Sequence, residues 1–443
     1  MASSRKSQSP DPVPVVESIL RRAVSSGERL VLGLSGGLDS VVLLHILKRI
    51  SPVTGSSLAC LHVNHKISPN ASVWAKFCSD LCERWHIPLE VVEVDISPHL
   101  SSGTEAAARI ARYAAFEKAA AEHIVLAQHR DDQAETLLLQ LFRGAGPKGL
   151  SAMGESTRLK GRTVLRPLLG ISRQALEAYA QQNRLEWISD ESNSDQRFDR
   201  NFVRHRLFPL IGERFPAFRE TLARSSRHFS EAALLLDELA AIDAAGAIIG
   251  KTLKVSRLQE LSKERAKNLL RHYLAENDAR MPSSRRLDEM LKQLSAARQD
   301  AVISIAHDGF EVKCYRGLIR IVEALPSCSG LCRVWHGESR MPVPELGGEL
   351  LFEEGSDGLD PSKLLEPVTV RVREGGERFR PAQNRPEKTL KNLFQEYGIP
   401  PWQRGRLPLL YCGERLVWVP GIGFDPEYRA QQGWIPRWEP VSS

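Results

Sequence analysis

Short apolar runs alternate with longer amphipathic stretches from residue 28 onward. The segments "RLVLGL" (29–34), "LACLHVNH" (58–65), "LEVVEVDI" (89–96) and "IVLAQH" (124–129) are apolar runs of strand length. Between them, residues 39–50, 72–85, 104–123 and 131–144 repeat apolar positions at three- and four-residue spacing, the period of a helix with one buried face. Strand alternating with helix predicts an α/β domain over 28–215, a parallel sheet with helices on both faces. Ligands of such sheets sit beyond the carboxyl ends of the strands. The polar clusters at those ends are Ser35–Ser40, His62–His65 and His129–Asp132.

After residue 215 the pattern changes. Residues 216–330 read as a helical middle domain. It ends in an alternating stretch, 301–322, with the hairpin signal Asp308-Gly309 at its centre. Glycine, proline and acids mark 331–366 as a connector, and 367–443 as a small α+β C-terminal domain rich in Arg, Trp, Tyr and Pro. The polar, proline-rich start makes 1–27 a disordered lead-in.

Composition narrows this picture only a little. A chain of 443 residues, 42% hydrophobic and 26% charged, is an ordinary globular protein of two or three domains. No apolar run reaches the ~20 residues of a membrane span, and no signal-peptide core opens the chain. We therefore expect no membrane association and a cytoplasmic location. The net charge of +6 is compatible with a nucleic-acid partner and does not by itself argue for one. Seven cysteines include two Cys-x-x-x-Cys pairs, Cys78/Cys82 and Cys328/Cys332. On a helix, four-residue spacing places Cys78 and Cys82 on one buried face, so we read them as core thiols rather than metal ligands.

The chemistry starts at "LSGGLDS", Leu34–Ser40, between the first strand and its helix. Gly36 and Gly37 permit close backbone approach, and the helix behind them starts with free N–H groups and a positive dipole end. That is an anion cradle. The common phosphate loop adds a lysine for the outer phosphates. Here Asp39 takes its place, which suits phosphates with Mg²⁺ between. A plain tight turn would need the glycines but not Asp39 and Ser40. The loop resembles the PP-loop ATP pyrophosphatases (adenine nucleotide alpha-hydrolase-like), with signature S-G-G-x-D-S. That resemblance implies ATP held by Leu34, Ser35, Gly36, Gly37, Leu38, Asp39 and Ser40, cleavage between the α- and β-phosphates, and an adenylated carbonyl oxygen.

A second motif, "AQHRDDQAETLLLQLFRGAGPKGL" (127–150), leaves a strand and enters a helix. Asp132 followed by Glu135 has capping-box spacing. A capped helix needs one acid, and this start has three plus His129. The stretch resembles the tRNA(Ile)-lysidine synthetase family pattern A-H-H-x-D-D-Q-A-E-T…R-G-x-G. The segments "EAAARIARYAAF" (105–116), "ISDESNSDQRFDRNFVRHRLFPLI" (188–211), "REGGERFRP" (373–381), 388–411 and "VWVPGIG" (417–423) agree with it too. Gln128 stands where the family usually has a histidine, and "HVNHKISPN" (62–70) replaces H-V-x-H-G-L-R-P. Neither departure removes an acid or the loop.

The resemblance implies a ligase. Its tRNA partner is an isoleucine tRNA with a CAU anticodon, and its small partner is free L-lysine. The C2 oxygen of the first anticodon cytidine is adenylated, and the lysine ε-amine then displaces AMP. The product, lysidine, reads AUA instead of AUG. Asp39 would hold Mg²⁺. Asp132 and Glu135 would meet the lysine ammonium, and His129 would assist proton transfer. Arg112, Arg200 and Arg204 would face the α-phosphate, with His62 beside the nucleotide. For tRNA, residues 199–228 carry seven arginines against three acids, and the last domain interleaves Arg378, Arg380, Lys388, Lys391, Arg404 and Arg406 with Phe379, Phe394 and Trp402. Oligomeric state is left open, a homodimer included.

Three rivals were weighed. A tRNA 2-thiolation enzyme also adenylates a carbonyl oxygen, but usually needs a Cys-x-x-Cys relay or cluster. An amidotransferase-type synthetase carries a glutamine-hydrolysing domain. A non-catalytic RNA-binding module needs no acids at strand ends.

Overall fold

The structure is a computed structural model that describes residues 11–189, 197–298, 301–323 and 328–440. The chain divides into two compact units, 1–236 and 237–443.

The first unit begins with helix α1 (Pro12–Ala23), not with a disordered lead-in. Asp11 accepts from Val13 N at 3.0 Å, so the helix is capped. Proline at its first position already has a helical φ. Val16 and Leu20 are fully buried in the main core, and that burial is what orders the segment. Residues 1–10 lie outside the described residues.

Then follow β1 (Arg29–Gly33), α2 (Leu38–Thr54), β2 (Ser57–Asn64), α3 (Ala71–Trp85), β3 (Leu89–Glu93), α4 (Thr104–Lys118), β4 (His123–Val125) and α5 (Arg130–Phe142). A short turn α6 (Pro147–Leu150) leads to the hairpin β5 (Ser156–Leu159) and β6 (Arg162–Leu165), and then to α7 (Arg173–Gln182). The sheet order is β3-β2-β1-β4-β6-β5, parallel throughout except for the β5–β6 pair. Alternate residues of each strand enter different cores. Leu30, Leu32 and Cys60 pack with α1, α2, α3 and α7, whereas Val31, Ala59 and Leu61 pack with α4. Helices therefore cover both faces, as expected. The order of strands reverses at β1, whose neighbours are β2 and β4, so the ligand crevice opens at its carboxyl end.

The unit closes with α8 (Asp199–Phe202), a π-helical turn Val203–Leu207, α9 (Phe208–Arg214) and the long α10 (Phe218–Ala244), which continues past the unit boundary. Pro209 has no N–H to give the carbonyl of residue 205, and the chain widens there: Phe208 N bonds Val203 O, five residues back.

The second unit opens with β7 (Ile248–Ile249), β8 (Thr252–Lys254) and helices α11 (Val255–Glu260), α12 (Lys263–Glu276) and α13 (Ser284–Ser295). Strands β9 (Ile303–His307), β10 (Phe310–Tyr315) and β11 (Leu318–Glu323) complete a sheet ordered β7-β8-β11-β10-β9, which shares one core with the helices. His307 pairs with Phe310 across Asp308-Gly309, both at positive φ, so the expected hairpin turn is present.

The expected connector is folded. It contributes β12 (Cys332–Trp335), β13 (Arg340–Val343) and β14 (Gly348–Leu359). Leu350 and Phe352 alternate inward there and are buried, a period hidden among acids and glycines. The chain goes on through β15 (Val368–Arg371), β16 (Arg378–Phe379), β17 (Lys388–Thr389), α14 (Leu390–Glu396), α15 (Pro401–Arg404), β18 (Leu409–Cys412), β19 (Arg415–Val419), β20 (Gly423–Phe424) and β21 (Arg429–Pro440). Strand β12 pairs with β15, and β14 runs along β21, so the C-terminal region is a β-rich fold built from 332–440.

Candidate functional site

The loop after β1 is held from behind. Gly36 has φ +83°, and a Cβ there would lie 2.9 Å from Ile188 Cδ1 and 3.2 Å from Cys78 Sγ. Only glycine fits on both counts. Ile188 N also donates to Gly36 O at 2.9 Å. His62 lies within 2.9 Å of Leu34 O through Nδ1, which therefore carries the proton, and it is 3.5 Å from Cys78 Sγ. Gly37 is the N-cap of α2 and has no side chain to satisfy the first amides, which face outward as donors. Ser40 Oγ donates to Gly37 O at 2.9 Å and lies 3.1 Å from Ser35 Oγ. Leu34 and Leu38 are core side chains, so only their backbone is available to a ligand.

Helix α5 brings the second motif to the same place. Its cap is His129, not Asp132: His129 Nδ1 accepts from Asp131 N at 3.2 Å, and Asp132, at the third position, accepts from His129 N at 3.0 Å. The imidazole is almost fully buried, and Nε2 lies 3.6 Å from Asp39 Oδ2 and 3.5 Å from Asp132 Oδ2. Nε2 carries a proton toward both acids, and the Nδ1 bond from Asp131 N belongs to the neutral ring, since a protonated imidazole has no acceptor nitrogen. Burial pushes the His129 pKa down, but the Asp132, Asp39 and Asp131 carboxylates prevail and raise it to about 9. For Asp39, burial pushes upward. The hydrogen bond to His129 and the charges of His129, Arg173 and Arg204 outweigh it and hold the carboxyl below its ordinary range.

Glu135 is placed differently from the sequence expectation. It is fully buried and gripped by Arg204, with Nε to Oε1 at 2.6 Å and Nη2 to Oε2 at 3.0 Å. Burial raises its pKa, against the pull of Arg204. It does not line the cleft, so the geometry does not present it to an incoming ammonium. Arg204 also reaches Asp132 Oδ1 at 3.2 Å, and Arg200 donates to Thr136 Oγ1 at 3.0 Å with Nε 3.3 Å from Glu135. Both arginines project from α8 and its π-helical turn, which sets them against α5. Arg112, from α4, stands on another wall of the cleft.

Ser35, Asp39, Ser40, His62, Arg112, Asp132, Arg200 and Arg204 line a cleft of about 550 Å³, large enough for a nucleotide. Its walls include His65, from the His62–His65 cluster, and three residues that no motif singles out: Trp74, Tyr113 and Phe198. Arg173, from the start of α7, reaches Asp39 Oδ2 at 3.4 Å. No motif marks Arg173. Among the described residues, Asp39 Oδ1, Gln128 Oε1 and both ring nitrogens of His65 are buried without a hydrogen-bond partner. Buried polar atoms are rarely left unpaired, so these point to a ligand. The 190–196 part of the D-x-S-N segment lies outside the described residues.

Three family patterns match the chain: a PP-loop domain over 14–211, a TilS substrate binding domain over 253–319 and a TilS substrate C-terminal domain over 368–438. A tRNA(Ile)-lysidine synthase from Nitrosomonas europaea is 44% identical over 431 residues, 95% of this chain and 94% of that one. This chain belongs to the tRNA(Ile)-lysidine synthase family. Family members named in the same way from Enterobacter sp. and Coxiella burnetii are 40% and 35% identical, covering 96% and 94% of this chain and 98% and 94% of theirs. The PP-loop match spans every residue that lines the cleft and implies that the protein uses ATP.

Proposed function

We propose that this chain is a carbon–nitrogen ligase. It adenylates C2 of the first anticodon cytidine of a CAU-anticodon isoleucine tRNA and then joins the lysine ε-amine there. The observation that carries the reading is the single chain Asp39–His129–Asp132, with contacts of 3.6 and 3.5 Å. It ties a pyrophosphate cradle to a carboxylate that faces the cleft. Near-complete alignment with curated lysidine synthases supports the substrate choice over thiolation.

In the first step the C2 oxygen forms a bond to the α-phosphorus, and the bond to the β-phosphate oxygen breaks. The loop amides and Ser35 and Ser40 hold the departing pyrophosphate. Adenylation turns a poor leaving group into a good one. In the second step Asp132 orients the lysine ammonium by charge. The ammonium loses its proton, the neutral ε-nitrogen bonds to C2, and the C2–oxygen bond breaks to release AMP. His129 holds the Asp39 and Asp132 carboxylates together, and the ammonium proton passes to Asp132. Glu135 fixes Arg204 beside Asp132, and Arg112 faces the phosphates from α4.

The buried, unpartnered Asp39 Oδ1 fits a divalent cation beside the phosphates. Asp39 would hold Mg²⁺, which would supply neutralisation of phosphate charge. The tRNA would also engage the second unit through its Arg- and aromatic-rich segments. No helix among the described residues is long and apolar enough to cross a membrane, in keeping with a cytoplasmic site of action.

The test is incorporation of labelled lysine into an isoleucine tRNA transcript with a CAU anticodon, with and without ATP. ATP-dependent incorporation that is lost when the first anticodon base is changed is expected. RNA-dependent pyrophosphate release without incorporation would sink the lysine assignment.

A further inference from the structure

Asp131, the first acid of the Asp-Asp pair, faces away from the cleft. Its Oδ2 lies 2.6 Å from Arg219 Nε, and its Oδ1 accepts from Arg173 N at 3.3 Å. Its own N–H reaches His129 Nδ1. Arg219 is held over two aromatic faces, 5.0 Å from the Phe208 ring centre and 4.5 Å from that of Phe218. Next to it, Arg130 Nη2 meets Glu220 Oε1 at 2.9 Å. Adjacent residues of α5 and α10 thus form two ion pairs of opposite polarity. Gln133 adds a third tie, with Nε2 3.4 Å from Ser226 Oγ on α10.

Two further facts give these contacts more than local weight. Besides Arg219, the partners of Asp131 are joined to the catalytic acids: His129 spans Asp39 and Asp132, and Arg173 touches Asp39. In addition, α10 is the element by which the chain leaves the catalytic unit toward the matched substrate-binding segments. A displacement of α10 therefore reaches His129 through one side chain and one amide.

We propose that Arg219 is a positioning residue: through Asp131 it sets where His129 and Asp132 stand against Asp39, so the placement of α10 is felt at the catalytic acids. This rests on the reaction proposed above. A shift of about 1 Å in an aligned site costs on the order of 100-fold in rate, so such a tie has kinetic consequences.

The test uses the full chain with Arg219→Gln and Arg219→Lys, read by kcat and by KM for ATP, lysine and tRNA, with thermal melts followed by circular dichroism. Arg219→Gln is expected to lower kcat about 10- to 100-fold. All three KM values should stay within about threefold, with the protein fully folded at the assay temperature. Arg219→Lys keeps the charge beside Asp131 and is expected to recover most of the loss. Three results would overturn the proposal: a Gln variant within twofold of wild type, activity loss that follows loss of folded protein, or a Lys variant no better than Gln. If the wild-type chain incorporates no lysine, the proposed reaction fails by itself. Arg219 is then judged on the rate of RNA-dependent pyrophosphate release, against the same three results.

Discussion

At the residue scale the site is governed by which atoms are already committed. Gly36 leaves no room for a side chain and sits at a φ that costs an L-residue roughly 1–2 kcal/mol. Gly36→Ala is expected to raise the KM for ATP at least tenfold while the far-ultraviolet spectrum stays unchanged; an unaltered KM would show that the loop does not hold the nucleotide. Asp132 and Glu135 should separate in their effects. Asp132→Asn removes a carboxylate that lines the cleft and is expected to abolish lysine incorporation while the protein stays folded at the assay temperature. Glu135→Gln strips a buried partner from Arg204 and is expected to cost about 3 kcal/mol in urea unfolding. His65 provides a pH signature. Burial and the Arg112 charge push its pKa down to about 4. Between about pH 6.5 and 4 the unfolded chain therefore binds a proton that the folded chain refuses, so stability falls as pH falls through that window. Above it His65 contributes nothing. Relative to His65→Gln, the wild type is expected to lose about 2 kcal/mol more between pH 7.5 and 5; parallel curves would contradict it.

At the element scale, two segments that read as linkers are structural. Helix α1 places Leu20 in the main core at 0% exposure. Leu20→Ala is expected to destabilise the first unit by about 3 kcal/mol, measured by urea unfolding; a change below 0.5 kcal/mol would return α1 to the status of a tether. The stripe Val16, Ile19 and Leu20 was visible in the sequence, but the prolines ahead of it masked it. The connector is the second, since it supplies β12, β13 and β14. Helix α5 and the π-helical turn differ. The periodicity of 131–144 announced a helix. That Glu135 turns into Arg204 and not into the cleft depends on the π-helical turn lying against it. Pairings between residues some 70 positions apart leave no trace in local spacing.

At the scale of the whole molecule, residues 1–236 and 237–443 each have their own cores. A chain ended after Leu236 is expected to keep ATP binding by calorimetry and to lose at least tenfold in tRNA affinity by filter binding. Equal affinity would remove the second unit from tRNA recognition. Removing only 367–443 would take β15 and β21 from β12 and β14 and expose their edges, so that deletion is expected to aggregate.

By itself the sequence determined the alternation that makes a parallel sheet, the glycine loop with its acid, the acid-rich helix start and the family pattern along the chain. Each is written in neighbouring residues, because strand and helix periods, turn chemistry and caps act over a few positions. Only the tertiary structure decided which acid faces the cleft, which is locked by arginine, and that Arg173 and Arg219 belong to the site's surroundings. Charge and burial at a buried site are set by residues far away in the chain. A carboxylate's role depends on whether a guanidinium reaches it first, and only the packing of α5 against α8 and α10 settles that.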